Sequence, residues 1–248
     1  MKPNKMRKLI LLQFSVFAVI IAGLGMAAFG VLLIDFLYPG TFRDWYVLRG
    51  GMELNTVLLL VFAIQHSLMA REGFKRIIRL LFPVELERSF YVMMTGFVLF
   101  WMAALWSPMS PPLYDLQGTI WGWILLGIWG LGLVILGLGQ VGMSGASLIG
   151  VQTVIDIWYE RQPEEPPFST PFLYQYIRHP LYLGVLLIFW ATPTMTHDHL
   201  FFSEVMTAYL LIGIYFEEKD LVRRYGKAYS DYQKKVPMLI PFFKFTRK

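Results

Sequence analysis

The sequence predicts an all-α fold, a polytopic membrane helix bundle of about six transmembrane helices, and three observations predict it. Of the 248 residues 56% are hydrophobic and only 16% charged, with mean hydropathy +0.52, which leaves too little polar surface for a soluble globule of this size. Apolar windows long enough for a hydrocarbon core of roughly 30 Å begin near Leu9, Met52, Ser89, Thr119, Leu181 and His199. The basic residues are distributed one-sidedly between those windows.

The spans are expected at 9–37, 52–70, 89–106, 119–142, 181–195 and 199–218. The first follows "MKPNKMRK"; its apolar stretch is too long for the core of a cleaved signal, so it reads as a retained signal anchor. With the N-terminus inside, all of the 22 Lys and Arg residues except Arg43 and Arg49 fall on one side. That asymmetry places both termini in the cytoplasm. The net charge of +5 then reflects topology and attraction to lipid; no base-reading motif is present, and nucleic acid is not an expected partner. With no cysteine, disulfides, thiolate nucleophiles and Cys-ligated metals are excluded. Between the fourth and fifth spans, "GMSGASLIGVQTVIDIWYERQPEEPPFSTPFL" reads as a flexible start, a short interfacial helix and a Pro-rich acidic turn. The tail from Lys219 reads as an amphipathic extension of the last helix on the inner membrane surface. Neither forms a separate domain. The chain is expected to be one membrane domain over 1–248, with 1–50 as anchor span and outer loop and 171–248 as a helical hairpin and tail.

Three features have plain structural readings. "GLGQVG", Gly137 to Gly142, matches the dinucleotide fingerprint, but that pattern has meaning only between a strand and a helix. At the end of an apolar helix its glycines serve close helix approach. His197 and His199 flank Asp198 with poor ligand spacing for a helix; an interfacial turn and helix N-cap explain them, and no metal is expected. Trp45, Tyr46, Trp101, Trp106, Trp121, Trp123 and Trp158 lie near span ends, where an interfacial belt places them.

One juxtaposition points to chemistry. From His179 the fifth span rises about 16 residues and the sixth returns about 18 to Glu217, nearly equal lengths at 1.5 Å per residue. "RHP" (Arg178 to Pro180) and "EE" (Glu217, Glu218) should therefore meet at one depth. Taken singly, Arg178 and His179 are ordinary positive-inside residues, Pro180 is a first-turn proline, and the acids are solvated or paired with Arg223 and Arg224. Together, two adjacent acids opposite an Arg-His pair are costly to hold near lipid without a function. Arg178 offers a fork for a carboxylate, Glu217 and Glu218 suit an ammonium or ribose hydroxyls, and Tyr176, Tyr182 and Tyr229 offer faces to a purine or a cation. S-adenosyl-L-methionine carries all of those groups.

At these residues a family resemblance is visible. "RHPLYLG" followed by "EEKDLVRRYGKAYSDYQKKVPMLIP" resembles the C-terminal signature shared by isoprenylcysteine carboxyl methyltransferases, phospholipid methyltransferases and NnrU-like proteins. The resemblance implies an integral-membrane methyltransferase that takes its cofactor from the cytoplasmic side. Arg178, His179, Pro180, Tyr182, Gly184, Glu217 and Glu218 match cofactor-binding positions. "QHSLMAR" (Gln65 to Arg71), "ERSFYV" (Glu87 to Val92) and "FWATPTMT" (Phe189 to Thr196) are similar to segments of bacterial methanethiol S-methyltransferases. That likeness implies a small thiol substrate, a bacterial inner membrane, and Gln65, Ser89 and Tyr91 beside the acceptor. The chain departs at "GASLIGVQT", which keeps Gly150 but places Gly145, Ser147, Gln152 and Thr153 where that branch is more polar or charged.

Methyl transfer from a sulfonium is an in-line displacement, so most of the work is positioning; for a thiol acceptor the thiolate is the reactive form. His66 is the expected proton acceptor or relay, with Arg71 or Arg88 supplying positive potential. The competing reading has His66 simply packing a helix end. Two other functions stay open: methylation of a lipid-like acceptor, or a non-catalytic NnrU-like accessory role. The sequence does not reveal an oligomeric state.

Overall fold

The computed structural model describes residues 5–40, 50–109, 111–141, 150–161 and 167–240. Arg43, Trp45, Tyr46, Arg49, Gly142, Gly145 and Ser147, together with both chain ends, lie outside those residues. Among the described residues nine α-helices dominate: α1 (Lys5–Leu37), α2 (Gly51–Met69), α3 (Glu72–Leu81), α4 (Glu87–Leu105), α5 (Ile120–Val141), α6 (Val151–Tyr159), α7 (Pro180–Trp190), α8 (His197–Tyr225) and α9 (Lys227–Lys235). They group into two compact units, one of residues 1–109 and 145–164, the other of residues 110–144 and 165–248.

In the first unit α1 packs along α4, and small residues make the contact. Ser15, Ala18, Ala22 and Gly25 recur at helical spacing and are buried. A Cβ added to Gly25 would fall 1.9 Å from the Gly96 carbonyl oxygen, and one on Gly96 would fall 2.4 Å from Ala22 Cα. The two backbones therefore touch, which is how helices associate where lipid removes any hydrophobic drive between them. A buried Ser89 Oγ–Ser15 Oγ hydrogen bond of 2.9 Å fixes their register. Helix α2 is tied to the end of α4 by a reciprocal pair: Asn55 Nδ2 donates to Ser107 O and Ser107 N donates to Asn55 Oδ1, both at 2.8 Å. Trp106 departs from the expected belt position. It is buried with its ring edge-on to Phe36.

The second unit rests on α5 against α7, and again glycine sets the distance. Cβ atoms on Gly132 and Gly184 would each lie 2.8 Å from the other residue's carbonyl oxygen, and one on Gly139 would meet Leu181 at 2.9 Å. Gly139 of the "GLGQVG" run thus serves packing, whereas Gly137 faces open space.

The expected span at 181–195 is corrected. Helix α7 has 11 residues, about 16 Å at 1.5 Å per residue, and residues 191–196 continue as buried extended chain. Pro193 disfavours helical backbone at Thr192. Thr194–Met195 then pairs antiparallel with Tyr114–Asp115. The freed backbone carbonyls are satisfied locally: Leu116 N donates to Pro193 O at 2.9 Å, Leu113 N donates to Met195 O at 2.7 Å, Thr192 Oγ1 donates to Thr194 O at 2.9 Å, and Phe189 O accepts from Ser203 Oγ at 2.9 Å and lies 2.8 Å from His199 Nε2. Non-helical backbone at membrane depth needs such cover.

Five helical segments among the described residues are long and apolar enough to cross a membrane: Lys5–Leu37, Gly51–Met69, Val84–Leu105, Ile120–Gln140 and His197–Tyr225. The protein is a helical integral membrane protein. The last of these runs past the expected end at 218. Its N-terminus is capped by Thr196, whose side chain accepts from His199 N at 3.3 Å, and Gly226 ends it at φ +56, which a glycine adopts without strain. The chain turns there, so the expected tail extension is a separate helix, α9.

Replacing Gly96 by Leu should separate α1 from α4. Thermal unfolding in detergent should show destabilisation of roughly 1–3 kcal/mol or more, the usual cost of overpacking, while Gly137→Leu should leave the transition unchanged.

Candidate functional site

The turn Phe172–Gln175 delivers Arg178 and His179 to the start of α7, where Pro180 occupies the first helical position. Two backbone bonds pin this corner to the tail: Arg178 N to Pro237 O at 2.9 Å and His179 N to Met238 O at 3.1 Å. The expected meeting of "RHP" with "EE" is what the structure shows. Arg178 Nε donates to Glu218 Oε1 at 2.6 Å, His179 Nε2 lies 3.2 Å from that same oxygen, and Gln233 Nε2 donates to Glu218 Oε2 at 3.0 Å. On the neighbouring acid, Tyr182 Oη donates to Glu217 Oε2 at 2.7 Å, with His179 Nδ1 3.9 Å away.

The arrangement divides the two acids. Successive helical residues point about 100° apart, so Glu218 turns toward Arg178 and α9 while Glu217 turns toward Tyr182. Arg178 and Glu218 side chains retain 12% and 15% exposure, whereas Glu217 retains 37%. Arg178 also spends Nη1 on Gln233 O at 2.9 Å and Val236 O at 2.7 Å. Nε and Nη1 are thus engaged within the protein, and among the described residues only the Nη2 arm of the fork is left for a ligand carboxylate. Arg223, an alternative partner for the acids, pairs instead with Asp220 at 2.8 Å.

Three tyrosines complete the corner. Tyr229 and Tyr232 pack around Phe168, with ring centroids 5.8 and 5.5 Å from it, and Tyr232 Oη donates to Tyr174 O. Burial, outweighing the nearby Arg178 cation, pushes the Tyr232 phenol up to about 12. Burial and the adjacent Glu218 carboxylate push Tyr229 up as well. The Tyr229 hydroxyl is buried and has no hydrogen-bond partner among the described residues. A half-exposed carboxylate with one donor and an orphaned phenol fit a ligand rich in hydroxyl and ammonium groups.

Other expected residues fall elsewhere. Gly184 is spent on contact with α5, Pro180 is buried as the helix start, and Tyr176 stands exposed at 67%. Gln233 lies within the quoted signature but was not among the expected site residues, although it shares a helical face with Tyr229 and Tyr232.

In the first unit a second polar cluster surrounds His66. Tyr91 Oη lies 2.9 Å from Nε2 and 3.0 Å from Nδ1 of His66, and Thr95 Oγ1 lies 3.4 Å from Nδ1. Phe62 stacks on the imidazole at 5.3 Å, and the Arg88 guanidinium sits 5.3 Å from the Tyr91 ring centroid. Gln65 donates to Met69 Sδ at 3.0 Å and Thr95 Oγ1 at 3.4 Å, while its Oε1 is buried without a partner among the described residues. Thr95, one helical turn beyond Tyr91, is the member that the sequence motifs did not flag. Arg71 is exposed at the N-cap of α3. Ser89, expected beside the acceptor, is buried on Ser15 of α1. Asp, Glu and His residues form no group suited to a metal among the described residues.

Comparisons with known proteins bear on this geometry. The phospholipid methyltransferase family matches residues 125–228, the stretch that holds α7, α8 and the start of α9. A methanethiol S-methyltransferase of Pseudomonas sp. strain GM41 is 43% identical over 189 residues, covering 76% of this chain and 72% of that protein. Methanethiol S-methyltransferase 2 of Bradyrhizobium diazoefficiens is 35% identical over 228 residues, covering 87% and 88%. The Crocosphaera subtropica methanethiol S-methyltransferase is 40% identical over 192 residues, covering 77% and 75%. No solved structure matches the chain. An apolar helical bundle with this matched segment defines an integral-membrane methyltransferase, an enzyme class that requires a methyl donor. Within that class, the chain belongs to the methanethiol S-methyltransferase family.

Arg178→Lys should loosen α9, because an ammonium carries its three donors on one atom and cannot reach from separate nitrogens to Glu218 and the two carbonyls. Amide exchange over residues 227–238 should speed up in step with a loss of roughly 1–3 kcal/mol, the scale for leaving hydrogen bonds at a charged site unmade. The raised phenol of Tyr232 makes a second prediction, with its sign set by linkage: its contribution is intact below the ordinary tyrosine value of 10.0 and is lost as pH rises toward about 12. The protection factor over α9, with the intrinsic base-catalysed rate divided out, should therefore be level from pH 6 to 9 and fall above pH 10, and Tyr232→Phe should flatten that fall.

Proposed function

We propose that the chain methylates methanethiol to dimethyl sulfide with S-adenosyl-L-methionine as donor, its active site facing the cytoplasm across a bacterial inner membrane. The carrying observation is the split pair of acids: Glu218 is locked by Arg178, His179 and Gln233, leaving Glu217 with spare acceptor capacity beside Tyr182. Support for the acceptor comes from the relatives named for methanethiol, and support for the orientation from the distribution of Lys and Arg.

When bound, the donor supplies a methyl group on a positively charged sulfur. Glu217 holds the ammonium or ribose hydroxyls, Tyr182 fixes that carboxylate, and the orphaned Tyr229 hydroxyl donates to a ligand acceptor. His179, held between both acids, keeps them apart and oriented. Arg178 is a positioning residue in this reading. Pre-set geometry of this kind matters because collinear approach is the main requirement of methyl transfer.

The acceptor must lose its proton as the new carbon–sulfur bond forms. His66 takes it, directly or through Tyr91, and the Arg88 cation on the Tyr91 ring favours the anionic sulfur. Gln65, with its unpartnered carbonyl oxygen, accepts from the thiol S–H in the ground state. Arg71, exposed at the α3 cap, has no part in this step.

Headspace gas analysis of cells that express the chain and are fed methanethiol should show dimethyl sulfide well above a vector control. An equal signal in both overturns the assignment of the acceptor. Glu217→Gln should weaken binding of S-adenosylhomocysteine about tenfold by calorimetry, the scale of one charge-assisted hydrogen bond. His66→Ala should lower turnover at neutral pH roughly 10²-fold or more with donor affinity intact, and unaltered turnover would dispose of the relay.

A further inference from the structure

The face of α8 that carries Glu218 borders a cavity of about 840 Å³ between α8, α9 and residues 236–238. Its two ends differ in chemistry. One end is apolar: Leu211, Ile214 and Tyr215 line it, reaching about 10 Å beyond Glu218 at 1.5 Å per residue, along a helix apolar enough to cross a membrane. The other end carries Lys219 and Lys234. Lys219 Nζ lies 4.3 Å from the centroid of the Tyr215 ring, at the junction of the two ends. Among the described residues Lys234 pairs with exposed Asp231 at 3.3 Å, a type of pair that contributes little.

Charge decides what fits. The cavity lining holds three cations, Arg178, Lys219 and Lys234, against one carboxylate, Glu218, whose oxygens already accept from Arg178 and Gln233 and lie beside His179. An occupant that satisfies both ends needs an anionic head joined to a hydrocarbon chain. We propose that this cavity binds an anionic phospholipid of the surrounding bilayer, its phosphate at Lys219 and Lys234 and an acyl chain along Leu211, Ile214 and Tyr215. A water-soluble methyl donor makes no use of an apolar arm inside the span, and Glu217, the acid with spare capacity, is absent from the lining. A bound lipid here braces α9 against α8, which is the packing that keeps Glu218 in place. The inference stands apart from the methylation reading.

The test uses the full chain in nanodiscs of equal phosphatidylglycerol and phosphatidylcholine, extracted gently and analysed by native mass spectrometry. The wild type should retain phosphatidylglycerol in clear preference to phosphatidylcholine. The Lys219→Glu/Lys234→Glu double variant should retain at least fivefold less of it, with its calorimetric affinity for S-adenosylhomocysteine within twofold of wild type. Ile214→Trp, which fills the apolar arm without touching charge, should produce the same loss and guards against a misfolded double variant. Equal retention of both lipids, or undiminished phosphatidylglycerol in the variants, overturns the proposal. So does a collapse of S-adenosylhomocysteine affinity with lipid retained, which would assign the cavity to the methyl donor and leave the proposed activity standing.

Discussion

The second unit depends on one ion pair, Arg178 with Glu218. Both side chains are nearly withdrawn from solvent, and a charge in that position is tolerable only when its donors and acceptors are filled. Most of them are filled, from three directions: Arg178 reaches Gln233 O and Val236 O as well as the acid, and Glu218 receives Gln233 and meets His179. A single contact thus joins the start of α7, the end of α8 and the C-terminal end of α9. Removing either partner leaves an uncompensated charge at the place where three segments converge, so the pair acts as a registry device for the corner. Its worth in net stability is secondary.

Elsewhere the chain is held by the absence of side chains. Where lipid surrounds the helices, apolar contact gives no preference for protein over hydrocarbon, and close backbone approach becomes the source of specificity. Gly25 against Gly96 in one unit and Gly132 against Gly184 in the other are the same solution used twice. The duplication explains why a family motif can mislead about role. Gly184 sits three residues from Tyr182's neighbour Leu181 in a conspicuous signature, yet its contact is with α5.

Apolar runs made the long helices legible, and equal helix lengths made the meeting of "RHP" and "EE" legible. The shortness of α7 was hidden because "LYLGVLLIFWATP" stays apolar through the point where the helix stops; only the Thr192-Pro193 pair carries the signal, and it is easily read as the end of a span. Helix α3 was hidden for the opposite reason. Its Lys75, Arg76 and Arg79 enter the sequence reading only as basic residues on the inner side, although ion pairs from Lys75 and Arg79 to Glu72 and Glu87 neutralise much of that charge in the fold. The fate of Arg178 lay beyond sequence reasoning altogether, since it depends on the tail turning back at Gly226 and presenting backbone carbonyls. Motif logic offers the guanidinium to a ligand; the fold commits Nε to Glu218 and Nη1 to main-chain carbonyls.

The division between the two acids follows from how α7 is fixed at both ends. At its start, the backbone N–H groups of Arg178 and His179 donate to Pro237 and Met238. At its finish, the Phe189 carbonyl is taken by Ser203 and approached by His199 on α8. A helix of three turns held in this way has little freedom to rotate or slide, so Tyr182, two residues past the first helical position, is delivered to Glu217 at hydrogen-bonding distance. A longer, regular helix through residues 191–196 would lose the buried extended segment that brings Phe189 O within reach of His199 and Ser203, and with it the second anchor. The break in the span is therefore part of what positions the acid with spare capacity, in keeping with the rule that a site is only as well placed as the elements that support it.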